Sequence, residues 1–217
     1  MAAAGNVALI GDVLQFIGAF VSFSIAYVAY RGVRETQSST LLRLATAFAF
    51  LGFGFLMEGL VGLGTVDLLP GIAALTTSFV IAGLFLETTG YFFLAFSHAV
   101  DVLLAKRLGL ALLVFPMLTL TMGQLTDVLT ILSFYFVLYG VVETLYAYAR
   151  NRKPDTLLIA GGLAFIAAGT FLQWLSIIYP PVNVISLLQI LSKEIGLMML
   201  FIPVLQFSLG RKWNGTV

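Results

Sequence analysis

The chain of 217 residues has no cysteine, a single histidine and few charges. Without thiols there is no disulfide, thiolate metal site, iron–sulfur cluster or cysteine nucleophile. One histidine, His98, excludes a haem held by two histidines and a two-histidine metal site within the chain. Beside Asp101 and near a helix end, His98 reads as an interfacial residue rather than a triad base. Asp, Glu, Lys and Arg make up 10% of the chain, against about 25% in ordinary soluble domains. A water-soluble fold of this length could not cover its surface with so few. The net charge is only +1 and no basic patch is interleaved with aromatics, which sets nucleic acid aside. Phosphate-binding loops of the G-x-x-x-x-G-K-[ST] or G-x-G-x-x-G type are also missing. The chain does not read as an enzyme.

Apolar residues are what the sequence has in quantity: 60% of the chain is hydrophobic, with 19 Phe. Lipid is the solvent that suits such a composition, and a helix needs about 20 apolar residues to cross it. The apolar runs cover 7–30, 41–63, 72–100, 108–122, 125–149, 156–178 and 182–209. They predict an all-α polytopic bundle of seven transmembrane helices, multi-pass in the cell membrane. The start, MAAAGNVALIGDVLQFIG, has no positive segment and reads as the beginning of the first span rather than a signal peptide. Basic residues fix the expected orientation, because cytoplasmic loops collect them. Arg31, Arg34 and Arg43 flank the first loop, Lys106 and Arg107 the third, Arg150, Arg152 and Lys153 the fifth, and Arg211 and Lys212 fall in the tail. The second, fourth and sixth loops have none. This places the N-terminus outside and the C-terminus in the cytoplasm. It also requires the short run 108–122, with its Pro116, to cross.

The first and last three helices read as copies of one unit, 7–104 and 125–209, joined by the linker helix 108–122. AYVAYRGVR at 26–34 resembles LYAYARNRK at 145–153, with a first loop a few residues shorter in the second copy. LLRLATAFAFLGFGFLMEGL at 41–60 resembles TLLIAGGLAFIAAGTFLQWL at 156–175, pairing Phe50 with Phe165 and Glu58 with Gln173. LETTGYFFLAF at 86–96 resembles SKEIGLMMLFI at 192–202, pairing Glu87 with Lys193 and Gly90 with Gly196. Two parallel repeats need one extra crossing between them, and an axis along the membrane normal should relate them. The 3+1+3 plan is similar to that of SWEET sugar transporters and to the repeat discussed for microbial rhodopsins, although the paired prolines of the SWEET unit are not found. Tyr30-Arg31-Gly32-Val33-Arg34 after the first span and Glu87 in the third resemble a group of uncharacterised archaeal multi-helix membrane proteins. That resemblance brings no activity with it.

Polar residues within the spans are the candidate site, since a charge at mid-bilayer is costly and tends to face the bundle interior. Glu87, Tyr91 and His98 share a stripe on the third helix; Tyr135, Tyr139, Glu143 and Tyr146 follow one another on the fifth; Gln189 and Lys193 are four apart on the seventh, with Glu194 about 100° round the helix. Lys193 is expected to pair with Glu87 or Glu143, either as a structural bridge or as part of an ion or proton relay. Glu58 and Gln173 read as interhelical hydrogen-bonding groups. Asp12, Asp101 and Asp127 read as solvated helix-end residues, and Trp174 and Tyr179 as an aromatic belt.

Three functions follow. The favoured one is a non-catalytic module: a sensor bundle, or an accessory subunit that docks a partner or a second copy through its small-residue helix faces. The alternative is a small transporter or channel at the repeat interface, using Glu87, Tyr91, Tyr139, Glu143, Gln189, Lys193 and Glu194. The third is a retinal protein with the cofactor on Lys193 and Glu87 as counter-ion. Otherwise no cofactor or metal is expected.

Overall fold

The computed structural model describes residues 2–65, 75–95, 121–179 and 183–214. Among these, the chain forms six helices and no strand: α1 (Ala2–Thr36), α2 (Ser39–Thr65), α3 (Thr76–Ala95), α4 (Met122–Asn151), α5 (Pro154–Ile178) and α6 (Asn183–Asn214). All six are long and apolar enough to cross a membrane, so the protein is a multi-pass membrane bundle. The expected fourth span lies outside the described residues except at its end. There Thr121 and Met122 belong to the next helix: the Thr121 hydroxyl accepts from the Gln124 amide, and the Gln124 side chain accepts from the Thr121 amide. This capping box starts α4 a few residues before the expected 125. His98 and Asp101 also fall outside the described residues.

Helix ends explain two further departures from expectation. α1 does not stop at residue 30. It continues through Tyr30–Arg34 to Thr36, so the YRG-x-R segment is helical rather than a loop. The turn comes at Gln37, which adopts a left-handed conformation (φ 54°) and donates its amide to Val33 O at 2.7 Å. α4 ends the same way at Arg152 (φ 49°), whose amide donates to Tyr148 O at 2.7 Å. In each case one more residue, Ser38 or Lys153, separates the left-handed residue from the next helix. α5 opens with Pro154 at its first turn, where a missing amide costs nothing. The two turns are equal in length, contrary to the expected shorter second loop. Gln37 and Arg152 stand as far apart along the chain as Phe50 and Phe165.

The helices form a closed ring in chain order: α1 packs on α2, α2 on α3, α3 on α4, α4 on α5, α5 on α6, and α6 back on α1. Small residues set the close approaches. A methyl group at Gly54 would lie 2.7 Å from Glu87 Cγ and 3.0 Å from Gly83 O. At Gly169 it would lie 2.7 Å from both Lys193 Cγ and Gln189 O. Gly90 abuts Ala47 O and Leu51, and Gly196 abuts Gly162 O and Ile166. These contacts of α2 on α3 thus have counterparts of α5 on α6, with Glu87 and Lys193 in matching places.

The interior holds Ile25, Phe48, Leu51, Phe55, Tyr91, Val137, Ile166 and Leu197. Toward the ends of α3 and α4 it opens into a cavity of about 360 Å³. Thr40, Leu44 and Phe48 of α2, Gly140, Glu143 and Thr144 of α4, and Pro203 of α6 are among its lining residues. Pro203 interrupts the hydrogen-bond ladder of α6 there.

Candidate functional site

Lys193 and Glu87 face each other across the ring interior. Lys193 Nζ donates to Glu87 Oε2 at 2.8 Å, with the two side chains 2% and 1% exposed. Of the two carboxylates expected as partners, Glu87 takes the lysine, and Glu143 lines the cavity instead. The ammonium also stands 5.6 Å from the centroid of the Phe55 ring, within cation–π range. This buried pair bridges α3 and α6, hence the two halves of the chain. Excellent geometry is what such a pair needs to offset its desolvation.

Three more carboxylates gather on the side of α1 and α2. Gln15 Nε2 donates to Glu58 Oε2 at 2.6 Å. Glu58 also packs against Gly83, one turn before Glu87 on α3. Asp12 lies one turn above Gln15, its carboxylate filling the place a side chain at Gly62 would occupy. It is half-buried, with Oδ2 covered and lacking a hydrogen-bond partner, so it is not the solvated helix-end residue expected. Glu194 reaches α1 at Gly18, where a Cβ would collide with its carboxylate. Both Glu194 oxygens are covered, and neither has a hydrogen-bond partner. Glu87 Oε1, Gln15 Oε1, Gln189 Oε1, Ser22 Oγ and Tyr91 Oη share that condition. From Asp12 to Ser22, α1 advances about 15 Å, so these groups form a polar column through roughly half of a bilayer core. Phe48, Leu51, Ile166 and Leu197, all buried, separate the column from the cavity.

Of the expected site residues, Glu87, Tyr91, Lys193 and Glu194 meet in this column, and Gln189 is half-buried on α6. The expected inward face of α4 does not form: Tyr135, Tyr139 and Tyr146 are exposed, and only Glu143 turns toward the ring's cavity. The reason is that α4 presents Leu129, Ser133, Val137 and Gly140 to the interior, a stripe at spacings of four, four and three. Trp174 lies outside the column, its ring 5.7 Å from that of Phe171 and tilted to it by 44°. Gln15, Asp12 and Ser22 were missed as site residues. The signal was the spacing of Gln15, Gly18 and Ser22, which share one face of α1. Among the described residues no three His, Cys, Asp or Glu side chains converge to hold a metal ion.

Compared with protein-family models, curated proteins and solved structures, the chain matches none.

Proposed function

We propose that this protein moves protons or other small cations across a membrane through the interior of its helix ring. The observation that carries the reading is the polar column around the Glu87–Lys193 pair. A bridge serving only to fix helix register needs one carboxylate for one lysine. Here Glu58 and Glu194 accompany them, and several covered oxygens lack a protein partner. Unpartnered polar atoms are expensive in an apolar interior, so their concentration in one column is a cost that function accounts for.

The same reading includes seven spans and two copies of a three-helix unit. α3 and α4 run the same way, with Thr88 beside Leu129 and Ala95 beside Gly140. The end of α3 and the start of α4 therefore lie at opposite ends of the ring, which supports a seventh crossing between them. The matched glycine contacts and the matched turns at Gln37 and Arg152 support duplication. Arg31, Arg34, Arg43, Arg150, Arg152 and Lys153 sit at the cavity end, which favours that end as cytoplasmic. The polar column then faces outward, and the apolar layer at Phe48 and Leu51 is the barrier between the two.

The test uses the purified chain in sealed vesicles with a pH indicator inside and an imposed membrane potential. Acidification faster than in protein-free vesicles supports transport. Vesicles that stay as tight as empty ones to protons, sodium and potassium would rule it out. A second reading, an accessory or sensor module, draws on the exposed row Tyr135, Tyr139, Val142 and Tyr146 on α4. Tyrosine and aliphatic groups in such a row suit a partner helix or a second copy, and crosslinking from this face in native membranes is its test. A retinal Schiff base on Lys193, with Glu87 as counter-ion, is a separate proposal. Its mark is a visible absorption band lost in Lys193→Ala.

A further inference from the structure

Glu194 is the residue of the polar column that the Lys193 bridge leaves unused, and its surroundings are unusual. The carboxylate lies in the seam between α6 and α1, on the bare backbone of Gly18. The register that pairs Glu87 with Lys193 pairs Thr88 with Glu194. The register that pairs Gln37 with Arg152 pairs Ser133 with Gly18. The corresponding seam, α3 on α4, therefore holds Thr88 against Ser133. Their hydroxyls lie 2.8 Å apart, and Thr88 Oγ1 also reaches Leu84 O at 2.7 Å. One seam is closed by two neutral hydroxyls that satisfy each other. In the other, a carboxyl fills the volume that a missing side chain leaves, with no partner for either oxygen.

The one counter-charge near Glu194 is Lys193, which acts on it from the next position but makes its hydrogen bond to Glu87. On its own helix Lys193 is committed to Glu87, and Gln189 is neutral. α1 presents Gly18, with Gln15, Ser22 and Asp12 on neighbouring turns. α2 contributes Glu58, and α3 contributes Glu87 and Tyr91. Tyr91 lies within electrostatic reach of Glu58, Glu87 and Glu194 together. Glu143 of α4 is at the cavity. The column thus sets three glutamates against one lysine. A packed carboxyl without donors, beside other carboxylates and away from water, is tolerated far better as the neutral acid than as the anion.

We propose that Glu194 is the proton-binding site of this protein: it carries a proton while packed on Gly18, and it exchanges that proton when α1 and α6 part. The inference rests on the transport reading but needs no transport to be tested. Gly18 makes the packed state possible, and Ile195 and Met198, exposed beside it on α6, put the seam at the outer surface of the ring. Release gives the proton to a water or carboxylate of the column and leaves a carboxylate, which then requires Lys193 or a new proton.

The experiment is an infrared spectrum of the full chain in lipid, read in the C=O stretch of protonated carboxyl groups, for wild type and Glu194→Gln. The expected result is a band in the wild type that is absent from the variant and unmoved when sodium replaces choline in the buffer. No such band, or one that survives Glu194→Gln, would overturn the assignment. A band that sodium abolishes would overturn it in favour of a cation-binding carboxylate. Should the variant fail to fold, the wild type reacts with an apolar carbodiimide. The neutral acid adds across the N=C=N group, its proton passing to nitrogen and its oxygen to carbon, and the ester rearranges to a stable N-acylurea. Label mapped to Glu194 supports the proposal, whereas label confined to other carboxyls, or none, contradicts it. Vesicles that do not conduct, together with the infrared result above, would remove the transport reading while leaving the proton site in place.

Discussion

Two seams join one half of the ring to the other, and they are closed by different chemistry. Between α3 and α4, Thr88 and Ser133 meet hydroxyl to hydroxyl and reach backbone carbonyls as well. Between α6 and α1, Glu194 lies on Gly18 with nothing to bond. The backbone frameworks correspond, down to the glycines at 54 and 169 and the left-handed turns at 37 and 152. What differs is the side-chain chemistry on a shared plan. Where two seams make similarly close approaches, one of them can hold a group that a purely structural seam would not keep.

The largest effect is expected at the bridge that spans both halves. Lys193→Met leaves Glu87 buried without its partner and should cost about 3–5 kcal/mol. Lys193→Met combined with Glu87→Met should recover most of that. Thermal unfolding in mild detergent, followed by helical circular dichroism, compares the two. A single variant as stable as the double would mean the pair is not the buried bridge described here.

Next come the matched glycines. Gly54→Ala and Gly169→Ala each force a methyl against backbone and side-chain atoms at 2.7–3.1 Å, and overpacking of this kind costs about 1–3 kcal/mol. The two losses should be alike. A large loss at one position and none at the other, in the same melting assay, would break the correspondence between the halves.

Smaller still is Ser133→Ala, expected to cost about 0.6 kcal/mol, the average for a membrane interhelical hydrogen bond. Thr88 keeps its bond to Leu84 O. The smallest change belongs to Glu194→Gln. If Glu194 is a neutral acid, an amide of the same shape should leave stability close to that of the wild type. A loss of several kcal/mol in chemical or thermal unfolding would instead identify an ionised Glu194 with a structural partner.

Much of this is legible in the sequence. The lack of charge and the long apolar runs give the spans, because lipid requires helices whose backbone groups bond internally. The sequence offers Lys193 two mid-helix carboxylates, Glu87 and Glu143, and the fold gives it Glu87. Helix rotation was harder to read. The tyrosines on α4 form as regular a polar stripe as Glu87 and Tyr91, yet they point outward, since in lipid an amphipathic pattern does not say which face is inside. Gln15 and Ser22 escaped notice for a related reason. Each stands among apolar residues, and the spacing of Gln15, Gly18 and Ser22 gains its meaning from the contact of Glu194 with Gly18. The left-handed residues that end α1 and α4 carry no sequence mark either: they are Gln and Arg rather than Gly or Asn.

The most direct measurement is proton flux into vesicles holding wild type, Glu194→Gln or Ser133→Ala at equal protein density. Loss of a group that carries the proton should lower the rate about a hundredfold in Glu194→Gln, while Ser133→Ala, altered in the corresponding seam, keeps the wild-type rate. Equal rates in all three, or a loss in Ser133→Ala matching that in Glu194→Gln, would contradict the assignment of function to the α6–α1 seam.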